Sequence, residues 1–122
     1  MGNRQLIIFS GVSSMGRIRT NNEDAFYVNY IWDEDNILAI VADGLGGCEK
    51  GEVASNLAVE TIVTYLTTYK NGDRLELLRQ AVIAANNIII EKQKELPDAS
   101  NMSTVLTVSI FDSVAHLVYM AH

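Results

Sequence analysis

Hydrophobic and polar positions divide this chain into apolar runs near the amino end, helix-like spacing in the middle and further apolar runs near the carboxyl end. A short apolar run predicts a first strand over residues 4–12, and β-branched and aromatic side chains predict a second over 25–32. The unbroken apolar run 37–42 predicts a third strand that is buried on both faces. The polar segment 33–36 predicts the turn of a hairpin between the second and third strands.

The middle of the chain carries apolar residues at helical spacing between positions 53 and 69, which predicts an amphipathic helix of about five turns that ends at Asn71-Gly72. Asp73 and Glu76 then have the spacing of a capping box, although Asp replaces the usual Ser or Thr. They predict the start of a second helix, which Pro97 closes. Its predicted apolar face consists of Leu75, Leu78, Val82, Ala85 and Ile89.

Two more strands are predicted over residues 105–110 and 114–121, joined by a short hairpin link. The order is therefore βββααββ. Because the strands cluster and the helices are adjacent, this order predicts an α+β fold with an antiparallel sheet and two packed helices. The chain has 122 residues, of which 48% are hydrophobic, so we predict one domain over residues 1–122.

The composition narrows the function classes. A net charge of -6 without a basic stripe argues against nucleic acid as the main partner. Cys48 is the only cysteine, so no internal disulfide can form, which suits a reducing compartment. No apolar run approaches the length of a membrane span or of a signal-peptide core. We therefore expect a cytoplasmic protein with no membrane partner.

The first candidate for chemistry is Asp43, which directly follows the apolar run 37–42. An ionised carboxylate at the edge of a core must be solvated, paired or bound to a metal, because burying a lone charge costs several kcal/mol, to order of magnitude. Gly44, Gly46 and Gly47 allow a tight turn that brings backbone carbonyls to the same point. Converging oxygen atoms are the ligands that Mg2+ and Mn2+ prefer.

A second candidate group lies upstream, where Glu23 and Asp24 precede a predicted strand and Arg19 lies four residues before Glu23. Adjacent acids repel each other unless a cation lies between them. Taken alone, the two acids are more often a solvated turn, and Arg19 a surface charge. The glycine turn alone is also weak evidence, and it matches neither a dinucleotide fingerprint nor a P-loop.

Four separated motifs together resemble the metal-dependent serine/threonine protein phosphatases of type 2C (the PPM-type family). The motifs follow the family's order and spacing over nearly the whole chain. In such a protein the sheet and helices would form part of an α-β-β-α sandwich. The motifs are Gly16-Arg17-Ile18-Arg19 with Asn22-Glu23-Asp24-Ala25-Phe26, Val41-Ala42-Asp43-Gly44-Leu45-Gly46-Gly47, Gly51-Glu52-Val53-Ala54-Ser55 and Met102-Ser103-Thr104-Val105-Leu106.

The resemblance implies a role for each matching residue. Asp43 would bridge two divalent cations, Mg2+ or Mn2+, and Gly44 would supply a backbone carbonyl to one of them. Glu23 would serve the same metal directly or through water, and Asp24 would orient bound water. Arg19 would grip the substrate phosphoryl group. The implied reaction is hydrolysis of phosphoserine or phosphothreonine in a protein substrate by metal-activated water.

One departure from the family pattern changes the expectation for activity. Family catalytic domains continue with a Gly-Asp-Ser-Arg segment and later aspartates, whereas this sequence stops at Met120-Ala121-His122. We therefore expect only the amino-terminal half of a domain, with little or no activity by itself. Uncovered strand edges and an apolar face would favour self-association. The alternative is a non-catalytic interaction or regulatory module that keeps the fold without a complete site.

Overall fold

Four antiparallel strands and two helices make up the part of the chain that the structure, a computed structural model, describes: residues 24–45, 48–95, 103–113 and 117–121. The sheet order is β1-β2-β3-β4, so neighbours in the sequence of strands are neighbours in the sheet. The elements are β1 (Asp24–Ile31), β2 (Asp33–Leu45), α1 (Cys48–Thr68), α2 (Arg74–Glu95), β3 (Ser103–Asp112) and β4 (Leu117–Ala121). The predicted α+β fold with an antiparallel sheet is confirmed, while the predicted strand over 4–12 lies outside the described residues.

Both helices pack against the same face of the sheet and enclose the core. Leu38 and Ile40 from β2 are fully buried there, as are Ile62 and Leu66 from α1. On α2 the buried residues are Leu77, Leu78, Ala81, Ala85 and Ile89. The prediction for Leu75 was wrong, since 52% of this residue is exposed. It lies in the first turn of α2 at the margin of the apolar stripe, where the sheet does not cover it.

The start of α2 confirms one half of the predicted capping box. The Asp73 carboxylate accepts a hydrogen bond of 3.2 Å from the Glu76 backbone N–H, which satisfies one of the free donors of the first turn. The Glu76 carboxylate does not reach back but accepts hydrogen bonds from Gln80 at 2.9 Å and from Arg79 at 3.2 Å. The Gln80 hydrogen bond, helped by the charge of Arg79, lowers the pKa of Glu76.

The β1–β2 turn differs from its prediction. The chain reverses at Trp32, which has a φ of 68°, and β2 already begins at Asp33, whereas the sequence placed the turn at 33–36. The strand register shifts beside Tyr30, so residues 34–36 bulge out of the β1–β2 ladder. Distant contacts hold this left-handed residue. The Trp32 indole N–H donates to the Leu66 carbonyl at 2.8 Å, and the Arg74 guanidinium lies 5.0 Å from the ring centroid.

The two faces of the sheet have different environments. Along β2, Leu38, Ile40 and Ala42 point toward the helices and are 0% exposed, while Val41 on the opposite face is 59% exposed. The prediction of a strand buried on both faces was therefore wrong at Val41, whereas Ile37 on the same face is 2% exposed. We call the face opposite the helices the outer face. It carries large apolar side chains that are 39% to 59% exposed: Phe26, Tyr30, Val41, Val105 and Phe111.

Neither described helix is long and apolar enough to cross a membrane.

Candidate metal centre

Two aspartates meet at one end of the outer face. Asp24 opens β1 and is the register partner of Asp43 near the end of β2. Directly opposed residues in an antiparallel pair have Cβ atoms about 4.5–5.5 Å apart and project from the same face. Like charges at that separation are destabilising unless a cation or a proton offsets them. The fold therefore brings together two acids that lie far apart in the sequence.

Asp43 has an environment that suits a metal ligand. It follows the fully buried Ala42 and is itself half-buried. Its Oδ1 atom is buried and accepts no hydrogen bond from the described residues, although the residue takes part in other interactions. A buried carboxylate oxygen of this kind gains from a hard cation, which prefers oxygen ligands. The Asp43 carboxylate and the adjoining Gly44 carbonyl are oxygen donors of the type that Mg2+ and Mn2+ prefer.

The backbone beside Asp43 is held by β3. Gly44 is buried and is the register partner of Thr104. The Thr104 hydroxyl donates a hydrogen bond of 3.1 Å to the main-chain carbonyl of Asp43. Sequence reasoning included Thr104 in a family motif but assigned it no role. Its contact depends on the β2–β3 register, which a single sequence does not reveal.

The structure brings together three of the five predicted site residues. Asp24, Asp43 and Gly44 converge at this end of the sheet, whereas Arg19 and Glu23 lie outside the described residues. Gly46 and Gly47 of the glycine turn also lie outside them. Among residues 24–45, 48–95, 103–113 and 117–121, no three His, Cys, Asp or Glu side chains cluster closely enough to hold a metal ion. The described part of the site therefore offers two carboxylates and one buried glycine backbone.

The family of this chain follows from its similarity to known protein families. A family model described as "Protein phosphatase 2C" matches residues 14–121, which is most of the chain. The chain belongs to the protein phosphatase 2C family. The match includes all five predicted site residues, and the resemblance of the sequence motifs to that family is confirmed.

Named relatives within the family are serine/threonine phosphatases. The chain is 36% identical over 103 residues to PstP of Mycobacterium tuberculosis, which covers 84% of the chain and 19% of PstP. It is 34% identical over 99 residues to the phosphatase stp of Listeria monocytogenes, which covers 78% of the chain and 39% of stp. By family, the chain is therefore related to enzymes that act on phosphorylated serine or threonine, and it spans well under half of either relative.

A solved structure supports the same fold assignment. The catalytic domain of PstP, in complex with 2 manganese ions, superposes with a TM-score of 0.70 at 36% identity. The superposition covers 82% of this chain and 41% of that domain. The manganese ions are a property of PstP.

Proposed function

We propose that this chain carries the amino-terminal part of a metal-dependent phosphoserine/phosphothreonine protein phosphatase. The observation that carries the proposal is the register pairing of Asp24 with Asp43 beside the buried Gly44. Two directly opposed carboxylates repel each other across the strand pair. A divalent cation at this point converts the repulsion into attraction.

The proposed metal ligands are the Asp43 carboxylate, the Gly44 backbone carbonyl and Glu23. When bound, Mg2+ or Mn2+ would lower the pKa of a coordinated water and neutralise charge on phosphoryl oxygens. Asp24 would orient water by accepting a hydrogen bond from it. Mg2+ and Mn2+ share oxygen ligands and octahedral preference, so the residue types favour neither of them.

Arg19 would bind the phosphoryl group of the substrate. A guanidinium presents planar, always charged donors that can hold two phosphoryl oxygens at once. In the proposed reaction the oxygen of water forms a bond to phosphorus while the bond to the Ser or Thr oxygen breaks. That oxygen leaves as the alcohol after it takes a proton, and the attacking water gives up a proton as inorganic phosphate forms. The partner is therefore a phosphorylated protein, and neither nucleic acid nor membrane is needed.

We also propose that the 122-residue chain has little or no activity by itself. It spans 41% of the PstP catalytic domain, and its described residues supply too few ligands for a two-metal centre. The lone cysteine suits a reducing compartment, so we place the protein in the cytoplasm.

The test is Mn2+-dependent hydrolysis of a phosphothreonine peptide by the 122-residue chain and by a longer form that continues through the rest of the family domain. We expect activity in the longer form alone, with a loss of more than about 100-fold in its Asp43→Asn variant. Glu60→Gln serves as the matched control because it makes the same carboxylate-to-amide change at an exposed position on α1. Full activity of the 122-residue chain would contradict the proposal for the isolated chain.

The second candidate is a non-catalytic interaction module. The exposed apolar side chains of the outer face favour it, because surfaces of this kind often bind other proteins. An inactive longer form that binds no Mn2+ would decide for the module and against the enzyme.

A further inference from the structure

Thr104 contacts the backbone at the centre of the candidate site. Its hydroxyl lies 3.1 Å from the Asp43 carbonyl oxygen and 3.2 Å from the carbonyl oxygen of Val105. A hydroxyl has a single proton to donate, so the two carbonyls share it. Thr104 is half-buried and comes from β3, whereas Asp43 comes from β2. The contact therefore links two strands through a side chain, in addition to their ladder.

The carbonyl that Thr104 contacts belongs to the peptide unit between Asp43 and Gly44. On one side of this unit is the Asp43 carboxylate, and on the other is the Gly44 carbonyl. Glycine has no Cβ and accepts a wide range of backbone angles, so the preceding peptide plane can rotate at low cost. A hydrogen bond to this plane restricts its rotation and so narrows the range of positions that the Asp43 carboxylate and the Gly44 carbonyl can take relative to each other.

We propose that Thr104 is a positioning residue that preorganises the Asp43 and Gly44 oxygens for a divalent cation. The inference rests on the proposed function, since it assigns a task to Thr104 within the same metal centre. Groups that orient metal ligands without touching the metal commonly change the affinity by about 10–100-fold. The restriction of a glycine-linked pair of ligands acts in the same way, because the bound geometry then requires less ordering.

The test measures Mn2+ affinity by isothermal titration calorimetry in the 122-residue chain and in the longer form. Thr104→Val keeps the β-branched shape and removes the hydroxyl. Thr104→Ser and Thr104→Ala form a second pair, which differs by one oxygen atom and remains informative if the valine variant fails to fold. Thr107→Val, the same change on the outer face of β3, is the matched control. Urea unfolding without metal gives the stability of each variant separately.

We expect the Mn2+ dissociation constant to rise about tenfold in Thr104→Val and in Thr104→Ala. Thr104→Ser and Thr107→Val should stay within about threefold of the wild type, because both keep the hydroxyl at position 104. A purely structural role would instead lower metal-free stability in the hydroxyl-free variants and leave their metal affinity unchanged.

A failure of the proposed role of Thr104 can be distinguished from a failure of the proposed metal centre. If the wild type binds Mn2+, Asp43→Asn abolishes binding and Thr104→Val binds as well as the wild type, the positioning role is overturned and the metal centre stands. If neither form of the wild type binds Mn2+, the metal centre is overturned and the role of Thr104 with it.

Discussion

At the scale of single residues, the decisive feature is the opposition of Asp24 and Asp43 across β1 and β2. Each acid alone would be an ordinary polar residue at a strand end. Their pairing places two negative charges on the same face at the distance of a cross-strand contact. The half-buried position of Asp43 reduces the screening of that repulsion by water. We therefore expect the stability contributed by this pair to depend on whether a divalent cation is bound beside it.

Asp43→Asn removes one of the two opposed charges at this end of the sheet and keeps the shape of the side chain. The same variant should lose the stabilisation that added Mn2+ gives the wild type, which grows with the ratio of free metal to the dissociation constant. Urea unfolding with and without Mn2+ measures this difference. An Asp43→Asn variant that Mn2+ stabilises as much as the wild type would contradict the prediction.

At the scale of elements, a polar cluster at the opposite end of the sheet joins the turns to the helices. Arg74 at the start of α2 forms an ion pair of 3.3 Å with Asp112 of β3, hydrogen-bonds the Asn36 side-chain oxygen and lies over the Trp32 ring. The Asn36 amide donates to Asp33 at 2.8 Å, which ties the bulge to the same cluster. The cluster therefore connects the β1–β2 turn, β2, β3 and α2.

Arg74→Met should therefore lower the free energy of unfolding by about 2 kcal/mol, because it removes a partly buried ion pair and a cation–π contact while keeping an apolar stem. The matched control is Arg79→Met, which breaks an ion pair of 3.2 Å to Glu76 between side chains exposed by 64% and 55%. Exposed pairs of this kind contribute little to stability, because water and salt screen their charges. Thermal or urea unfolding compares the two, and equal effects would refute the importance of the cluster.

Prediction from the sequence succeeded for the strands and helices and failed for the turn that this cluster holds. The apolar run of β2 and the helical spacing of α1 and α2 were visible because each follows a local period. The turn was misplaced because Trp32 takes a left-handed conformation that depends on Leu66 and Arg74, both distant in sequence. A turn centred on 33–36 would pair Asp43 with Phe26. The observed turn at Trp32 and the bulge of residues 34–36 together give a register two residues away from that one, which pairs Asp43 with Asp24.

At the scale of the whole molecule, the outer face of the sheet has an acidic end and an apolar part next to it. Asp24 and Asp43 form the acidic end, and Val41 and Val105 begin the apolar part next to it. Apolar surface next to a polar centre favours a covered site, where charges interact more strongly. The sequence indicated an uncovered apolar face through the family resemblance, but the exposed residues could be named only after the register was known.

The exposed outer face should make the 122-residue chain self-associate. We expect its average mass in multi-angle light scattering to rise with concentration. The double variant Val41→Thr with Val105→Thr should reduce this rise, because it keeps β-branched shape and removes apolar surface. Leu75→Gln, at an equally exposed position on α2, should leave it unchanged. An average mass of the wild type that equals the mass of a monomer at all concentrations would contradict the prediction.

The most direct test of the metal centre is the anomalous scattering of Mn2+ in crystals of the longer form. We predict an anomalous peak at the acidic end of the outer face, within ligand distance of an Asp43 carboxylate oxygen, and no such peak in Asp43→Asn crystals. Bound Mn2+ elsewhere, with none beside Asp43, would contradict it.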